Sequence, residues 1–139
     1  MEKSHFTSSL GDKTVTEFEA GLAPSTEHGA DLRFHGVVRD REEGRLITGI
    51  DYSAYRPMAD NELQAVVDTM RAEHPDHRVA IYHRLGFVAA GEASILIRVQ
   101  TAHSAAAFSL CQEYLRRIKT TVPIWKKPIW AATPVESDE

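Results

Sequence analysis

The densest group of chemically capable side chains is a basic run at residues 116–127. It holds five Lys or Arg residues and no acid, whereas the whole chain carries a formal net charge of −4. Fixed positive charges repel one another, and an anionic ligand would relieve that repulsion. We single out Lys119 and Lys126, because one amine could exchange a proton with a reacting atom while the other contacts a phosphate. A solvated basic helix end, favoured by the helix dipole, is the competing interpretation.

Arg39 and His103 are two further candidates for binding an anion. Arg39 follows a predicted strand in which Gly36 indicates a bulge or a close backbone approach. Its guanidinium could bind a carboxylate or phosphate through two hydrogen bonds, although a surface arginine in a loop is the commoner explanation. His103 opens a predicted helix, where backbone N–H groups favour anions, and an exposed capping histidine is the alternative there.

No metal site or bound cofactor is expected from the sequence. His74 and His77 flank the helix-breaking Pro75, His83 lies on a predicted strand, and no Cys or Glu completes a zinc-like ligand set. Cys111 is the only cysteine in the chain. It falls in the apolar stripe of a predicted helix, which favours a core thiol over a nucleophile.

The elements that must position these side chains alternate between strands and helices. Apolar residues at helical spacing predict one helix from Pro57 to about Glu73 and a second over residues 104–119. Strands are predicted over residues 14–18, 30–38, 46–55, 78–83 and 94–101, with a hairpin loop at residues 39–44 and a turn region between Gly86 and Gly91. In the third of these strands, one face is expected to carry Leu46, Thr48, Ile50, Tyr52 and Ala54, and the other face Gly49, Asp51 and Ser53. The pattern predicts an α+β fold with two main helices and a mainly antiparallel or mixed sheet.

Length and composition fit one compact domain spanning residues 1–139, with flexible ends at about 1–12 and 131–139. The acidic balance argues against a nucleic-acid partner. No apolar run is long enough to cross a membrane, so we expect no membrane as a partner. The single cysteine and the polar start of the sequence lead us to expect a cytoplasmic protein.

Taken together and in order, short motifs between residues 29 and 127 resemble the molybdopterin synthase large-subunit (MoaE) family. The most specific are His83-Arg84-Leu85-Gly86 and Lys119-x-x-x-Pro123-Ile124-Trp125-Lys126-Lys127. Weaker matches accompany them: Gly29-Ala30, Phe34-x-Gly36-x-Val38-Arg39, Tyr52-x-Ala54-Tyr55, Met58-Ala59, Gly91-Glu92, His103 and Ala107-Phe108.

The resemblance implies an α/β hammerhead-type fold and a homodimer within a heterotetramer. The implied partner is a small ubiquitin-like sulfur carrier whose C-terminal Gly-Gly tail bears a thiocarboxylate. The implied substrate is cyclic pyranopterin monophosphate, which receives two sulfurs and becomes the dithiolene of molybdopterin. Because the sulfur arrives on the partner, such a chain needs no reactive cysteine of its own.

The same resemblance implies roles for individual residues. Lys119 and Lys126 would be catalytic. Arg39, His103 and Lys127 would bind substrate or the anionic tail, with His103 supplied across the dimer. Phe34 and Met58 would lie near the tail or the dimer interface.

Four positions depart from the family pattern: Ser104 stands where an arginine is usual, Arg116 and Ser53 where acids are usual, and Pro128 where a glutamate is usual. These departures leave both lysines in place and alter their surroundings. A divergent, non-catalytic paralogue that binds the carrier or a phosphorylated ligand is therefore the alternative function.

Overall fold

The computed structural model describes residues 5–132, which form two sheets and three helices. This arrangement confirms the α+β class and the mixed sheet, and it adds one short helix to the two predicted. In chain order the elements are β1 (Phe6–Gly11), α1 (Val15–Ala20), β2 (Ala30–Val37), β3 (Arg41–Glu42), β4 (Arg45–Ala54), α2 (Met58–Glu73), β5 (Arg78–Arg84), β6 (Gly86–Ala89), β7 (Ala93–Thr101), α3 (Ser104–Thr121) and β8 (Ile124–Trp130).

The larger sheet has the strand order β1-β5-β7-β2. Strand β1 runs parallel to β5, whereas β5 and β2 are both antiparallel to β7. Helices α2 and α3 cover one face of this sheet, and the main hydrophobic core lies between them. Leu63, Met70 and Tyr114 supply large fully buried side chains from the helices, and Ile81 and Ile97 do so from the strands. Burial of this apolar surface is the main force that fixes the helices on the sheet.

The smaller sheet is built around β4, which pairs with β3, β6 and β8. The β3–β4 connection is a two-residue hairpin turn in which Glu43 and Gly44 both have positive φ, 51° and 81°. That geometry matches the twist of the flanking strands, and it confirms the predicted hairpin. Strand β8 was not predicted. Strand β6 was not predicted either, because Gly86–Ala89 was expected to lie in a turn region.

The start of the described chain differs from the prediction. Residues 14–18 were expected to form a strand, but Val15–Ala20 is a helix. The Thr14 hydroxyl accepts a hydrogen bond from the Glu17 N–H, and the Glu17 carboxylate accepts one from the Thr14 N–H. This reciprocal capping box outweighs the β-branched composition that favoured a strand.

Residues 6–11 were expected to be loose and instead form β1, which is hydrogen-bonded along β5. The expectations for residues 1–4 and 133–139 lie outside the described residues. None of the helices within residues 5–132 combines the length and the apolar character that a membrane span requires.

A register shift in β4 corrects the predicted alternation of that strand. The shift falls between Ile47 and Gly49, where β4 pairs with β8. Ile47 is buried, whereas Leu46 is 49% exposed and Thr48 is exposed. The prediction that Leu46 and Thr48 share one face with Ile50 and Tyr52 is therefore wrong. Beyond the shift, Ile50 and Tyr52 do share one face, as predicted, and that face is buried. An extra residue in a strand interrupts the alternation of side chains between the two faces of the sheet. Residues before the insertion therefore lie on the opposite face from the one that the alternation after it would give them.

Candidate active site

A cleft of about 550 Å³ opens where the end of α3 meets β8 and the ends of β2 and β5. Its lining combines an apolar wall from α3 and β8 with a small number of polar side chains. The polar side chains are those of Tyr52, His83, Ser94, Lys119 and Lys126. A mostly apolar cleft with a few convergent polar groups is the usual form of a small-molecule site.

Lys119 reaches the cleft from the last turn of α3. Its neighbours Ile118 and Val122 are buried and anchor this end of the helix in the core. The Val122 N–H donates to the Ile118 carbonyl and ends the helix, and β8 begins two residues later at Ile124. The exposed Lys119 side chain is therefore carried on a well-anchored backbone.

Lys126 reaches the same cleft from β8. In the antiparallel pairing of β4 and β8, Lys126 lies opposite Tyr52 and Lys127 lies opposite Asp51. Successive side chains on a strand point to opposite faces, so Lys127 points away from the cleft. Lys126 and Lys127 therefore belong to different surfaces of the smaller sheet.

Phe34 and Gly36 form the β2 side of the cleft. The register of β2 against β7 shifts between Gly36 and Val37, which confirms the bulge or close approach predicted at Gly36. A Cβ atom on Gly36 would lie 2.7 Å from Cγ2 of Ile95 and 3.6 Å from the Phe34 ring. Only glycine fits this position without displacing the cleft wall.

His83 and Tyr52 are the most deeply buried polar residues of the cleft lining apart from Ser94, with exposed fractions of 8% and 9%. Their rings meet edge to face, with centroids 4.9 Å apart. Nδ1 of His83 lies 2.8 Å from the Arg84 carbonyl oxygen, which can only accept, so Nδ1 carries a proton. Burial lowers the pKa of His83, so the ring is neutral and Nε2 is left as an acceptor.

The basic run divides into two parts with different electrostatic surroundings. Arg116 and Arg117 both donate to the carboxylate of Glu113, and Arg117 also reaches Glu73 at 2.9 Å. These hydrogen bonds lower the pKa of Glu113 to about 2, and the one from Arg116 makes the largest contribution. No carboxylate among residues 5–132 forms an ion pair with Lys119 or Lys126. Of the three lysines in the basic run, two that lack an ion pair, Lys119 and Lys126, therefore place their positive charge at the cleft.

Three of the seven predicted site residues come together in the cleft: Phe34, Lys119 and Lys126. The other four, Arg39, Met58, His103 and Lys127, do not line it. Arg39 is exposed in the loop after β2, and Met58 is 48% exposed at the start of α2.

His103 stands at the opposite end of α3 from Lys119. The 16 residues that separate them span roughly 24 Å at the rise of an α-helix. The His103 of one chain therefore lies far from the Lys119 of the same chain.

Sequence reasoning missed His83 and Tyr52 as site residues. His83 was weighed as a metal ligand, Tyr52 was placed on one face of a strand, and both stood in family motifs without a site role. The available signal was position, since His83 continues the inward face of Val79 and Ile81 at the end of β5, where the core gives way to the cleft. An inward-facing histidine at a strand end is a candidate for a site at the sheet edge.

The remaining histidine and cysteine side chains have structural surroundings. His77 bridges the His74 carbonyl and the Tyr114 hydroxyl at 2.6 and 2.7 Å. Cys111 is 7% exposed in the main core, as predicted, and burial raises the pKa of its thiol. Within residues 5–132 no three His, Cys, Asp or Glu side chains are grouped so that they could hold a metal ion.

Three comparisons with known proteins bear on this site. The molybdopterin synthase catalytic subunit of Bos taurus is 40% identical over 102 residues, which cover 73% of this chain and 54% of that protein. The chain thus spans about half the length of the curated relatives it matches. Molybdopterin synthase from Staphylococcus aureus superposes with a TM-score of 0.81 at 29% identity, covering 95% of this chain and 96% of that one. A chain from the Helicobacter pylori complex of subunits 1 and 2 of molybdopterin-converting factor shares the fold, with a TM-score of 0.66 at 22% identity over 94% of this chain and 92% of that one.

The family model described as MoaE protein matches residues 11–121, which include β2, β4, β5 and the whole of α3 with Lys119. Strand β8 with Lys126 lies just beyond that match, and its pairing with β4 brings it back to the cleft. Since this match spans most of the sequence, the chain belongs to the MoaE protein family.

Proposed function

We propose that this chain is the catalytic subunit of a molybdopterin synthase. It would transfer sulfur from the thiocarboxylated C-terminus of a small ubiquitin-like carrier to cyclic pyranopterin monophosphate, forming the dithiolene of molybdopterin. The observation that carries the proposal is the meeting of Lys119 and Lys126 in one cleft, from two different elements. Family membership and the S. aureus match, which covers nearly all of both chains, support it.

The electrostatics of the cleft suit this chemistry. Both the thiocarboxylate and the phosphate of the substrate are anionic, and the two lysines supply positive charge that no described carboxylate neutralises. Lys119 would stand beside the thiocarboxylate and exchange protons with the reacting atoms. Lys126 would contact the substrate phosphate. The buried Cys111 has no part in the transfer, because the carrier brings the sulfur.

The other proposed roles follow the family pattern. Phe34, half-buried at the cleft wall, would contact the carrier tail or the substrate. Arg39 and Lys127 would meet anionic groups of the tail or substrate outside the cleft, and Met58 would contribute to an interface. The exposure of Arg39, Met58 and Lys127 in a single chain is compatible with these roles.

His103 would act in the cleft of a second copy. The separation of roughly 24 Å along α3 prevents it from meeting Lys119 of its own chain. In a two-fold dimer the same surface is presented by both copies, so one copy's His103 can complete the other copy's cleft. We therefore propose a homodimer that binds two carriers, which makes a heterotetramer.

The activity is tested by mixing the purified chain with a thiocarboxylated carrier and cyclic pyranopterin monophosphate and measuring molybdopterin. Lys119→Ala and Lys126→Ala should each abolish turnover, whereas Lys13→Ala, an exposed lysine outside the cleft, should not. Wild-type rates in the Lys119 variant would contradict its catalytic role. A wild-type chain that binds the carrier and makes no product would support the non-catalytic alternative.

The dimer is tested by mixing two inactive variants, His103→Ala and Lys119→Ala. If His103 acts across the dimer, each mixed dimer contains one intact site, and random reassortment restores about a quarter of wild-type activity. If both residues act within one chain, no mixed dimer contains an intact site and activity stays absent. The measurement is turnover after the two proteins are mixed at concentrations that allow subunit exchange.

A further inference from the structure

The polar groups of the cleft are arranged by depth. Lys119 and Lys126 are exposed at the rim, whereas His83 and Tyr52 are more than nine-tenths buried beneath them. Charged groups stay near water because burying an ammonium group costs more than burying a neutral hydroxyl or imidazole. The rim therefore suits the anionic part of a ligand, and the floor suits an uncharged part.

The floor offers hydrogen-bonding groups that the protein itself does not use. Nδ1 of His83 is held by the Arg84 carbonyl, and neither Nε2 of His83 nor the Tyr52 hydroxyl bonds to any residue within 5–132. Both atoms are open to the cleft and not sealed in the core, since Arg84 Nε is the only fully enclosed side-chain N or O atom without a partner among residues 5–132. They are therefore available to a ligand or to solvent as a hydrogen-bond partner.

The protonation state of the floor follows from its contacts. The proton on Nδ1 and the burial of the ring leave Nε2 of neutral His83 with a lone pair and no hydrogen. The Tyr52 hydroxyl can donate or accept. The floor can therefore accept a hydrogen bond from a ring N–H and pair with a neighbouring polar atom.

We propose that His83 and Tyr52 bind the uncharged heterocycle of the substrate, with Nε2 of His83 accepting a hydrogen bond from a ring N–H and the Tyr52 hydroxyl pairing with a second polar ring atom. The edge-to-face contact between the two rings fixes their relative position, so the pair recognises one heterocycle edge. This inference rests on the proposed function for the identity of the heterocycle, a pterin. It adds two ligand-binding residues to that function.

A matched pair of substitutions separates the acceptor from the ring. The amide of glutamine can place an oxygen near the position of Nε2, so His83→Gln keeps an acceptor in the cleft. The shorter amide of asparagine reaches only the position of Nδ1, so His83→Asn keeps the contact with the Arg84 carbonyl and loses the acceptor. Tyr52→Phe removes the hydroxyl and keeps the ring that packs on His83.

The first experiment measures the binding of a non-phosphorylated pterin to the wild-type chain and to the three variants by calorimetry. His83→Asn and Tyr52→Phe should each weaken binding about tenfold or more, whereas His83→Gln should stay within a few-fold of wild type. Binding of inorganic phosphate, which engages the rim, should be unchanged in all three and weakened in Lys126→Ala. Thermal unfolding of each variant checks that the fold is retained.

Equal losses in the Asn and Gln variants, or wild-type pterin binding in His83→Asn and Tyr52→Phe, would overturn the inference. The second experiment measures turnover of cyclic pyranopterin monophosphate. Here His83→Asn should raise KM by about tenfold or more and change kcat less, since the contact is present before and during reaction. Absence of turnover in the wild-type chain would contradict the proposed function. It would leave the inference about the floor standing, because pterin binding is measured without the carrier.

Discussion

Gly36 shapes the cleft through the side chain it lacks. Its position on the bulge of β2 leaves no room for a Cβ atom, which would stand 2.7 Å from Cγ2 of Ile95. That methyl group is attached directly to the β-carbon of a residue in a central strand, so it cannot swing aside. The glycine and the branched side chain opposite it are therefore a matched pair.

We expect Gly36→Ala to lower the free energy of unfolding by about 1–3 kcal/mol, because overpacking outweighs the roughly 0.4–1 kcal/mol that alanine contributes by restricting the unfolded chain. Ile95→Leu removes the offending methyl at nearly constant volume. The double variant Gly36→Ala/Ile95→Leu should therefore recover most of the loss. Urea unfolding of the four proteins in a double-mutant cycle measures the coupling, and additive losses would show that the two positions do not clash.

Glu113 reports on the pairing of the two arginines in the basic run. Its pKa lies at about 2 because Arg116 and Arg117 both donate to it. We expect Arg116→Gln to raise the pKa of Glu113 only part of the way to its usual range, since Arg117 remains. A carboxyl titration followed by NMR measures this. An unchanged pKa in the variant would show that Arg116 does not pair with Glu113 in solution.

At the scale of elements, one buried hydrogen bond ties α3 to the connection between α2 and β5. Tyr114 is fully buried on α3, and its hydroxyl lies 2.7 Å from Nε2 of His77. The other ring nitrogen of His77 is bonded to the His74 carbonyl and so carries a proton, which makes Tyr114 the donor when His77 is neutral. This hydrogen bond therefore holds the connection between α2 and β5 against α3, the helix that carries Lys119.

Tyr114→Phe should cost about 1–3 kcal/mol of stability, because it leaves Nε2 of the buried His77 without a partner. The measurement is the free energy of unfolding in urea. Tyr55→Phe, which removes a hydroxyl from a tyrosine that is 58% exposed, is the matched control for the loss of the hydroxyl group itself. A loss no larger than a few tenths of a kcal/mol in Tyr114→Phe would show that the hydrogen bond contributes little.

Burial of two histidines makes the stability of the fold depend on pH in a definite direction. Desolvation lowers the pKa of His77 and of His83 from the usual value of 6.5. The unfolded chain then binds protons more readily than the folded one, so stability is full above about pH 6.5 and falls as pH drops through the folded values. Asp31 affects stability only at more acidic pH, because its hydrogen bond with Arg98 holds the pKa of its carboxyl at about 2.

We therefore expect the urea midpoint to decrease as pH falls below about 6.5, well before the carboxylates titrate. His77→Gln should reduce this slope, and the remainder should belong to His83. Midpoints measured at several pH values for both proteins test the assignment. A midpoint independent of pH between about 5 and 7 would contradict it.

At the scale of the whole molecule, the single thiol is a reporter of global unfolding. Cys111 lies in the main core, and burial raises the pKa of its thiol, so the reactive thiolate is scarce and shielded. We expect labelling by a thiol reagent to be slow in the native protein and to accelerate with urea in parallel with unfolding. Cys111→Ser is the control for reagent background, and rapid labelling without urea would show that the core opens locally at α3.

The helices were predictable from the sequence and several strand details were not. Residues 57–73 and 104–119 have apolar stripes at helical spacing, and both helices form within two residues of those bounds. Strand β8 depends on pairing with β4, 70 or more residues earlier in the sequence, and no local pattern marks such a pairing. The helix α1 carried a readable signal in Thr14 and Glu17, which the alternation around them obscured.

The site was predictable where motif and geometry coincide. The basic run and the family resemblance together lead to Lys119 and Lys126, and the structure brings both to one cleft. Neither source shows that Lys127 faces the opposite side of β8, because its face depends on the register with β4. His83 required the three-dimensional view, since its chemistry comes from lying at a strand end under the rim of the cleft.

The pairing of β8 with β4 also determines how many side chains near Lys126 can be substituted while Lys126 stays in place. Backbone hydrogen bonds between the two strands set the place of Lys126, and they do not depend on which side chains the neighbours carry. Among the described strands β8 pairs with β4 alone, so it lies at the edge of its sheet, where a proline is tolerated. Substitution at Ser53 or Pro128 therefore changes the surroundings of Lys126 and leaves its position in the fold unchanged. The place of Lys126 in the fold therefore tolerates variation in the side chains around it.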